Sequence, residues 1–123
     1  MSGFQPAAEV VLFHGDKAVR AAGILDSGSV FTVFGEEFAG LLGINDVTQG
    51  TPARINTLAG MRDIYFFDLE IALSAAGPRF SGQIGFFTGR VSRNILGRAL
   101  IFSAFEIGFH ERAQRIHLRP DRY

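Results

Sequence analysis

Cysteine is absent from this chain, and lysine occurs once, at Lys17. Without cysteine the protein cannot form disulfides, thiolate zinc sites or iron–sulfur clusters, and it has no cysteine nucleophile. Neither sign of charge is in excess, because twelve Lys and Arg balance twelve Asp and Glu. Proteins that bind nucleic acid through counterion release usually carry a basic excess, so we expect no nucleic-acid partner.

Long apolar runs are also missing. No stretch approaches the roughly 18 uninterrupted apolar residues of a transmembrane helix, so we expect no membrane partner. The first residues do not form a basic segment followed by an apolar one, so no secretory signal is visible. The expected location is the cytoplasm.

The remaining composition favours a small β-rich globular protein. Hydrophobic residues make up 47% of the 123 residues and charged residues 20%, which predicts one soluble domain over residues 1–123. Fifteen Gly favour turns and close backbone approaches, and thirteen Phe favour pleated, half-buried surfaces. A chain of this size buries only about two-thirds of its unfolded surface. A site that needs groups from two halves must therefore take the second half from another copy.

Hydrophobic periodicity predicts strands interrupted by two short helical segments. Alternating or continuous apolar residues indicate strands at residues 10–13, 18–25, 30–34, 53–57, 61–73, 80–86, 95–97, 105–109 and 116–118. Helical spacing indicates short helices at residues 36–42 and about 98–104. Residues 45–51 are expected to form a polar connector.

Asp26 is the residue most out of place in this pattern. It lies between two apolar runs, residues 21–25 and 30–34, so partial burial is expected, and a buried charge is costly without partners. Asp-Ser-Gly is also common in turns, and an Asx-type turn between strands explains Asp26 equally well. A second segment, residues 94–98, contains two aliphatic residues and a glycine ahead of a helix. Taken alone, it fits a strand end with a tight helix entry.

The order of these two segments resembles retropepsin-like (retroviral-type) single-domain aspartic proteases of the non-viral, bacterial branch. Residues 23–34 are similar to the family's hydrophobic-hydrophobic-Asp-Thr/Ser-Gly-Ala/Ser segment, and residues 94–100 to its aliphatic-aliphatic-Gly-Arg signature. Residues 55–62 stand where the family has its flap hairpin, and the last two predicted strands resemble its C-terminal strands. The resemblance covers roughly residues 8–119. It departs from the family in having Ser27 where threonine is commoner and one glycine, Gly60, at the hairpin tip.

The resemblance implies an all-β, closed β-barrel-like retropepsin (acid protease) fold with one or two short helices, active as a homodimer. The implied reaction is hydrolysis of a peptide bond by a water activated between two aspartates that share a proton. Of six Asp in the chain, only Asp26 has the required Asp-Ser/Thr-Gly setting, so each subunit would supply one Asp26 at the two-fold axis. The implied partners are a second copy of the chain and a protein or peptide substrate, with no cofactor and no metal.

The resemblance also assigns supporting residues. Around the catalytic Asp26 the active-site loop would be formed by Ser27, Gly28 and Ser29. The loop would be supported by the packing of Ile95, Leu96 and Gly97. The flap that closes over substrate would contain Thr57, Leu58, Ala59, Gly60 and Met61.

Other classes of function stay open beside this one. The chain could be a catalytically inactive retropepsin-like dimerisation or peptide-binding module. It could also be an unrelated small β-sandwich in which Asp26 is an exposed turn residue. The three histidines, His14, His110 and His117, lack the spacing of metal ligands with a carboxylate, so a metal site is not expected.

Overall fold

A computed structural model describes residues 7–26, 28–57, 60–89, 91 and 93–102. Seven strands account for most of this part of the chain: β1 (Ala7–His14), β2 (Lys17–Asp26), β3 (Thr32–Gly35), β4 (Thr51–Thr57), β5 (Gly60–Ala72), β6 (Arg79–Phe87) and β7 (Ile95–Gly97). The helical segments are short: helix α1 (Glu36–Leu41), a 3-10 turn (Val47–Gln49) and a π-helical turn (Arg98–Phe102).

The strands form one sheet that closes into a six-stranded barrel. Their order is β1-β2-β7-β3-β6-β5-β4, and β1 also pairs with β5, which closes the ring. The closing ladder consists of three residue pairs, Val11 with Ala72, Leu12 with Ile71 and Phe13 with Glu70. The expected all-β closed barrel is confirmed. A single closed sheet also excludes two facing sheets as the description of this part of the chain.

Local sequence explains the two long hairpins of the barrel. Gly15 adopts φ 61° at the tip between β1 and β2, where a residue with a side chain would be strained. At this tip the His14 ring bonds through Nδ1 to the Leu42 carbonyl, at 3.0 Å, and so joins the hairpin to the end of α1. In β5 the predicted alternation is present, since Leu69 and Ile71 are buried and Asp68 is exposed.

The main core fills the barrel between its strands and α1. Its fully buried large side chains include Leu12, Phe34, Leu42, Ile71, Ile84, Phe86 and Leu96. A second apolar cluster lies where β3, β5 and β6 meet the β4–β5 hairpin. It consists of Val33, Ile64, Phe66 and Phe87, with Ala53, Ile55 and Val91 packed against it. The hairpin is therefore attached to the barrel by apolar packing as well as by backbone pairing.

Several element bounds differ by one to three residues from those expected, and three segments differ for reasons that the structure shows. The third strand begins at Thr32 rather than at residue 30, because the backbone of residues 29–30 is bonded to the turn after β7 instead of to a strand. The polar connector contains the 3-10 turn, which the Asp46 side chain caps by accepting from the Thr48 amide. The helix expected near residues 98–104 is a π-helical turn within the described residues. The two predicted C-terminal strands, residues 105–109 and 116–118, lie outside the described part of the chain.

No helix among the described residues is long and apolar enough to cross a membrane.

Candidate active site

Asp26 is the last residue of β2, and its carboxylate forms a local turn. The Gly28 amide donates to Asp26 Oδ1 at 2.9 Å, and the Ser29 amide donates to the Asp26 carbonyl oxygen at 3.0 Å. The Asx-type turn that the sequence allows is therefore present. Asp26 is exposed, so the expectation of partial burial is wrong for the single chain. The reason is that Asp26 lies at the end of β2, past the residues paired with β1, and its carboxylate accepts from a backbone amide two residues away without entering the core.

The second segment lies directly beside this turn. Strands β2 and β7 run parallel, with Leu25 opposite Leu96 and Asp26 opposite Gly97. The turn after β7 then bonds the loop after β2: the Arg98 amide donates to the Ser29 carbonyl at 2.9 Å and the Ala99 amide to the Val30 carbonyl at 3.3 Å. The two segments singled out in the sequence therefore form one hydrogen-bonded unit.

Gly97 allows this close approach. A Cβ built on Gly97 would lie 2.3 Å from the Phe31 carbonyl oxygen and 2.8 Å from the Val30 carbonyl oxygen. These are backbone atoms, so no side chain can move aside to relieve the contact. The Gly97 amide in turn donates to Thr32 Oγ1 at 2.9 Å. Glycine at this position is thus a requirement of the loop geometry.

The neighbours of Gly97 in β7 lie between β2 and β3. Leu96 is fully buried in the main core. Ile95 is half-buried and pairs with Ile24 on one side and with Val33 on the other. The strand that carries these residues therefore separates the two strands that enter and leave the Asp26 loop.

The loop after Asp26 also presents apolar side chains. Val30 is 42% exposed and Phe31 44% exposed, both large for apolar residues. The Phe31 ring lies 5.1 Å from the Phe66 ring at an angle of 57°. Because Phe66 belongs to the second apolar cluster, the Asp26 loop contacts the base of the β4–β5 hairpin.

The predicted flap falls on this hairpin. Thr57 pairs with Gly60, and Asn56 pairs with Met61, whose side chain is exposed. Gly60 adopts φ 107°, a conformation that residues with a side chain rarely take. The pairing of β5 with β6 begins only at Ile64. Within the described residues, the two strands of the outer hairpin pair only with each other, while the Arg62 guanidinium donates to the Thr88 carbonyl oxygen just after β6 at 3.1 Å.

Three of the predicted site residues, Ser27, Leu58 and Ala59, lie outside the described residues. The others divide into two groups. Asp26, Gly28, Ser29 and the β7 residues form one bonded unit, and Gly60 and Met61 lie on the hairpin that contacts this unit through its base.

Two polar residues of this region were not predicted as site residues. Thr32 is 1% exposed and accepts from the Gly97 amide through Oγ1. Asn94 is 8% exposed, and its side chain bonds both β2 and β3. Asn94 stood in the quoted 94–100 segment, but its hydrogen-bond partners are 59 and 72 residues away. Local sequence contains no signal for contacts of that separation.

Other carboxylates have different surroundings. Asp46 accepts from the Thr48 hydroxyl and from the Thr48 amide, and these hydrogen bonds hold the pKa of the exposed Asp46 carboxyl below its ordinary value.

In the described part of the chain, no three His, Asp or Glu side chains are grouped so that they can hold a metal ion.

The fold is a closed β-barrel. At the end of β2 it presents the exposed Asp26 carboxylate, and the loop after Asp26 is hydrogen-bonded to the Arg98 and Ala99 amides. Comparison of the chain with known protein families gives no match, and comparison with curated proteins gives no significant match. The functional assignment therefore depends on the geometry of the site and on the motifs that form it.

Proposed function

We propose that this protein is an aspartic endopeptidase of the retropepsin type that acts as a homodimer. Two Asp26 carboxylates, one from each subunit, would activate a water for attack on the peptide bond. One observation carries the proposal: Asp26 lies opposite Gly97 in a parallel strand pair, and the loop after Asp26 is bonded to the backbone amides of Arg98 and Ala99. An Asx turn alone needs no such second segment.

The exposure of Asp26 in the single chain is compatible with this mechanism. A carboxylate that must meet its partner at a two-fold axis has to lie on the surface of each subunit. When two carboxylates come close together they cannot both ionise at low cost, so the proposed pair would share one proton. The ionised group would take a proton from water and the protonated one would donate to the carbonyl oxygen of the substrate.

The hairpin and the apolar loop supply the remaining parts. The proposed flap is the outer part of the β4–β5 hairpin, which would lie along an extended peptide and pair with it by strand addition. Closure of that hairpin over a bound peptide would exclude water from the reacting groups. The proposed enzyme needs no metal and no cofactor, and its partners are its own second copy and a protein or peptide.

Asp26→Asn tests the proposal without removing the turn. The amide oxygen of asparagine still accepts from the Gly28 amide, but it cannot act as an acid or base. We expect cleavage of a peptide library between pH 3 and 7 to fall by at least about a hundredfold, the scale of lost general acid–base catalysis. Mass spectrometry of the products measures the rate, and circular dichroism checks the fold.

Asp46 provides a matched control. It also accepts from the amide two residues later, Thr48, at 3.0 Å, but it lies in the connector before β4. Asp46→Asn should leave cleavage unchanged. Cleavage that survives Asp26→Asn would refute the peptidase. Absence of cleavage by the wild type, together with retained self-association, would instead favour the inactive dimerisation or peptide-binding module.

A further inference from the structure

The buried Asn94 side chain connects the strands on both sides of the Asp26 loop. Its amide group donates to the Ala22 carbonyl at 2.8 Å, and its Oδ1 accepts from the Gly35 amide at 3.0 Å. Its own carbonyl oxygen accepts from the Ile24 amide at 2.9 Å. One residue therefore contacts β2 twice, shortly before Asp26, and contacts β3 at its far end.

These contacts form at close range because Gly23 lacks a side chain. A Cβ on Gly23 would lie 3.1 Å from the Asn94 carbonyl oxygen and 3.0 Å from Leu96 Cγ. Asn94 is 8% exposed, and the loss of a buried hydrogen-bond partner would leave a backbone amide or carbonyl unsatisfied. The network is thus closely fitted and has little freedom to rearrange.

Two sets of hydrogen bonds consequently fix the strands on either side of the Asp26 loop. Near the loop, Thr32 accepts from the Gly97 amide, and deeper in the barrel Asn94 joins β2 to the end of β3. Strand β2 leads into the Asp26 loop and β3 leads out of it. Because Asn94 bonds both strands, a change at Asn94 would alter the orientation of the loop relative to the barrel. The side chain of Asn94 does not itself belong to the loop.

We propose that Asn94 is a positioning residue for Asp26, an inference that rests on the proposed peptidase function. It sets the angle of the Asp26 turn relative to the barrel, and hence the geometry in which two such turns meet. A displacement of about 1 Å at a reacting group is enough to lower a rate about a hundredfold.

Two substitutions separate the two contacts. Asn94→Leu preserves approximate size and removes both hydrogen bonds. Asn94→Asp preserves the acceptor for the Gly35 amide, but the ionised carboxylate cannot donate to the Ala22 carbonyl. A protonated carboxyl group can donate, so acidification should restore the lost bond in this variant only.

The kinetic experiment compares both variants with the wild type and with Ile71→Ala, a core truncation in β5 that lowers Tm without touching this network. All are assayed well below their Tm. We expect Asn94→Leu to lower kcat about ten- to a hundredfold with KM changed less than about threefold. For Asn94→Asp, kcat relative to wild type should rise from pH 7 to pH 4, while the ratio for Asn94→Leu stays constant. Equal kcat in Asn94→Leu and Ile71→Ala would overturn the proposal.

A second measurement does not depend on catalysis. The Gly28 amide is bonded to Asp26 Oδ1, so its hydrogen exchange reports on the turn itself. We expect faster exchange at Gly28 in Asn94→Leu and unchanged exchange in Ile71→Ala. If the wild type shows no Asp26-dependent cleavage, the proposed function fails and this measurement still decides the positioning role. Unchanged exchange at Gly28 in Asn94→Leu would refute that role.

Discussion

At the scale of single residues, the candidate site depends on one glycine without a Cβ and on two buried side chains that accept hydrogen bonds from backbone amides. Gly97 has no Cβ, so the carbonyls of Val30 and Phe31 approach its backbone closely. Thr32 and Asn94 are the two polar side chains described as buried, and each accepts from a backbone amide of the site. The chemistry proposed for Asp26 thus depends on neighbours that never touch a substrate.

Gly97→Ala should destabilise the protein and disturb the loop. The added methyl group would collide with backbone atoms, and overpacking of this kind costs about 1–3 kcal/mol. Gly40→Ala is the matched control, because among the described residues nothing lies within 4 Å of a Cβ at this helical position. That substitution should raise the free energy of unfolding by about 0.5–1 kcal/mol. Urea denaturation measures both, and equal effects of the two substitutions would contradict the close approach at Gly97.

Residue types alone predict only part of this arrangement. The pairing of Asp26 with Ser27 and Gly28 was enough to indicate a turn or a catalytic loop, because that information is contained in adjacent residues. Its exposure was missed, because apolar neighbours on both sides suggested a buried position. Val30 and Phe31 were expected in a strand for the same reason, yet the backbone bonds from Arg98 and Ala99 to residues 29 and 30 hold that segment as a loop.

At the scale of elements, β5 is the strand that connects the barrel with the candidate flap. Its C-terminal part, Ile64–Ala72, pairs with β6, and its N-terminal part pairs with β4. Alternation in residues 67–73 was sufficient to predict this strand, since one face of it is buried. The short parallel pairing of β2 with β7 was not predictable in register, because three-residue contacts between distant segments leave no periodic pattern.

The two parts of β5 should differ in stability. The outer hairpin at residues 54–56 and 60–63 is mostly exposed, and the Arg54–Asp63 ion pair joins its strands at 3.1 Å. An exposed ion pair contributes less than about 1 kcal/mol. We expect the amides of residues 60–63 to exchange with solvent much faster than those of residues 66–71. Equal protection in native-state hydrogen exchange would argue against a hairpin that moves independently as a flap.

At the scale of the whole molecule, the barrel is complete while the proposed active site is half of a pair. The main core occupies the interior of the barrel and closes without a second chain. The exposed apolar residues Val30 and Phe31 lie on the same loop as Asp26. The barrel of the described residues is thus closed within one chain, whereas the proposed chemistry needs a second copy.

Subunit mixing tests this directly. When wild-type protein is equilibrated with a ninefold excess of Asp26→Asn protein, random pairing places only about one wild-type subunit in ten with a wild-type partner. Cleavage per wild-type subunit should fall to about a tenth. The same excess of Gly40→Ala protein should not inhibit, because its Asp26 is intact. Unchanged cleavage per wild-type subunit in the Asp26→Asn mixture would show that one chain suffices.

The closed ladder between β1 and β5 has a further consequence for the protein at high concentration. Closure leaves β4 as the one described strand with a neighbour on a single side. That strand carries Pro52, which has no amide hydrogen to offer an incoming strand, and the charged Arg54. Both features oppose the stacking of chains edge to edge into fibrils. The most open edge among the described strands is thereby protected against unlimited growth by strand addition when the protein is concentrated.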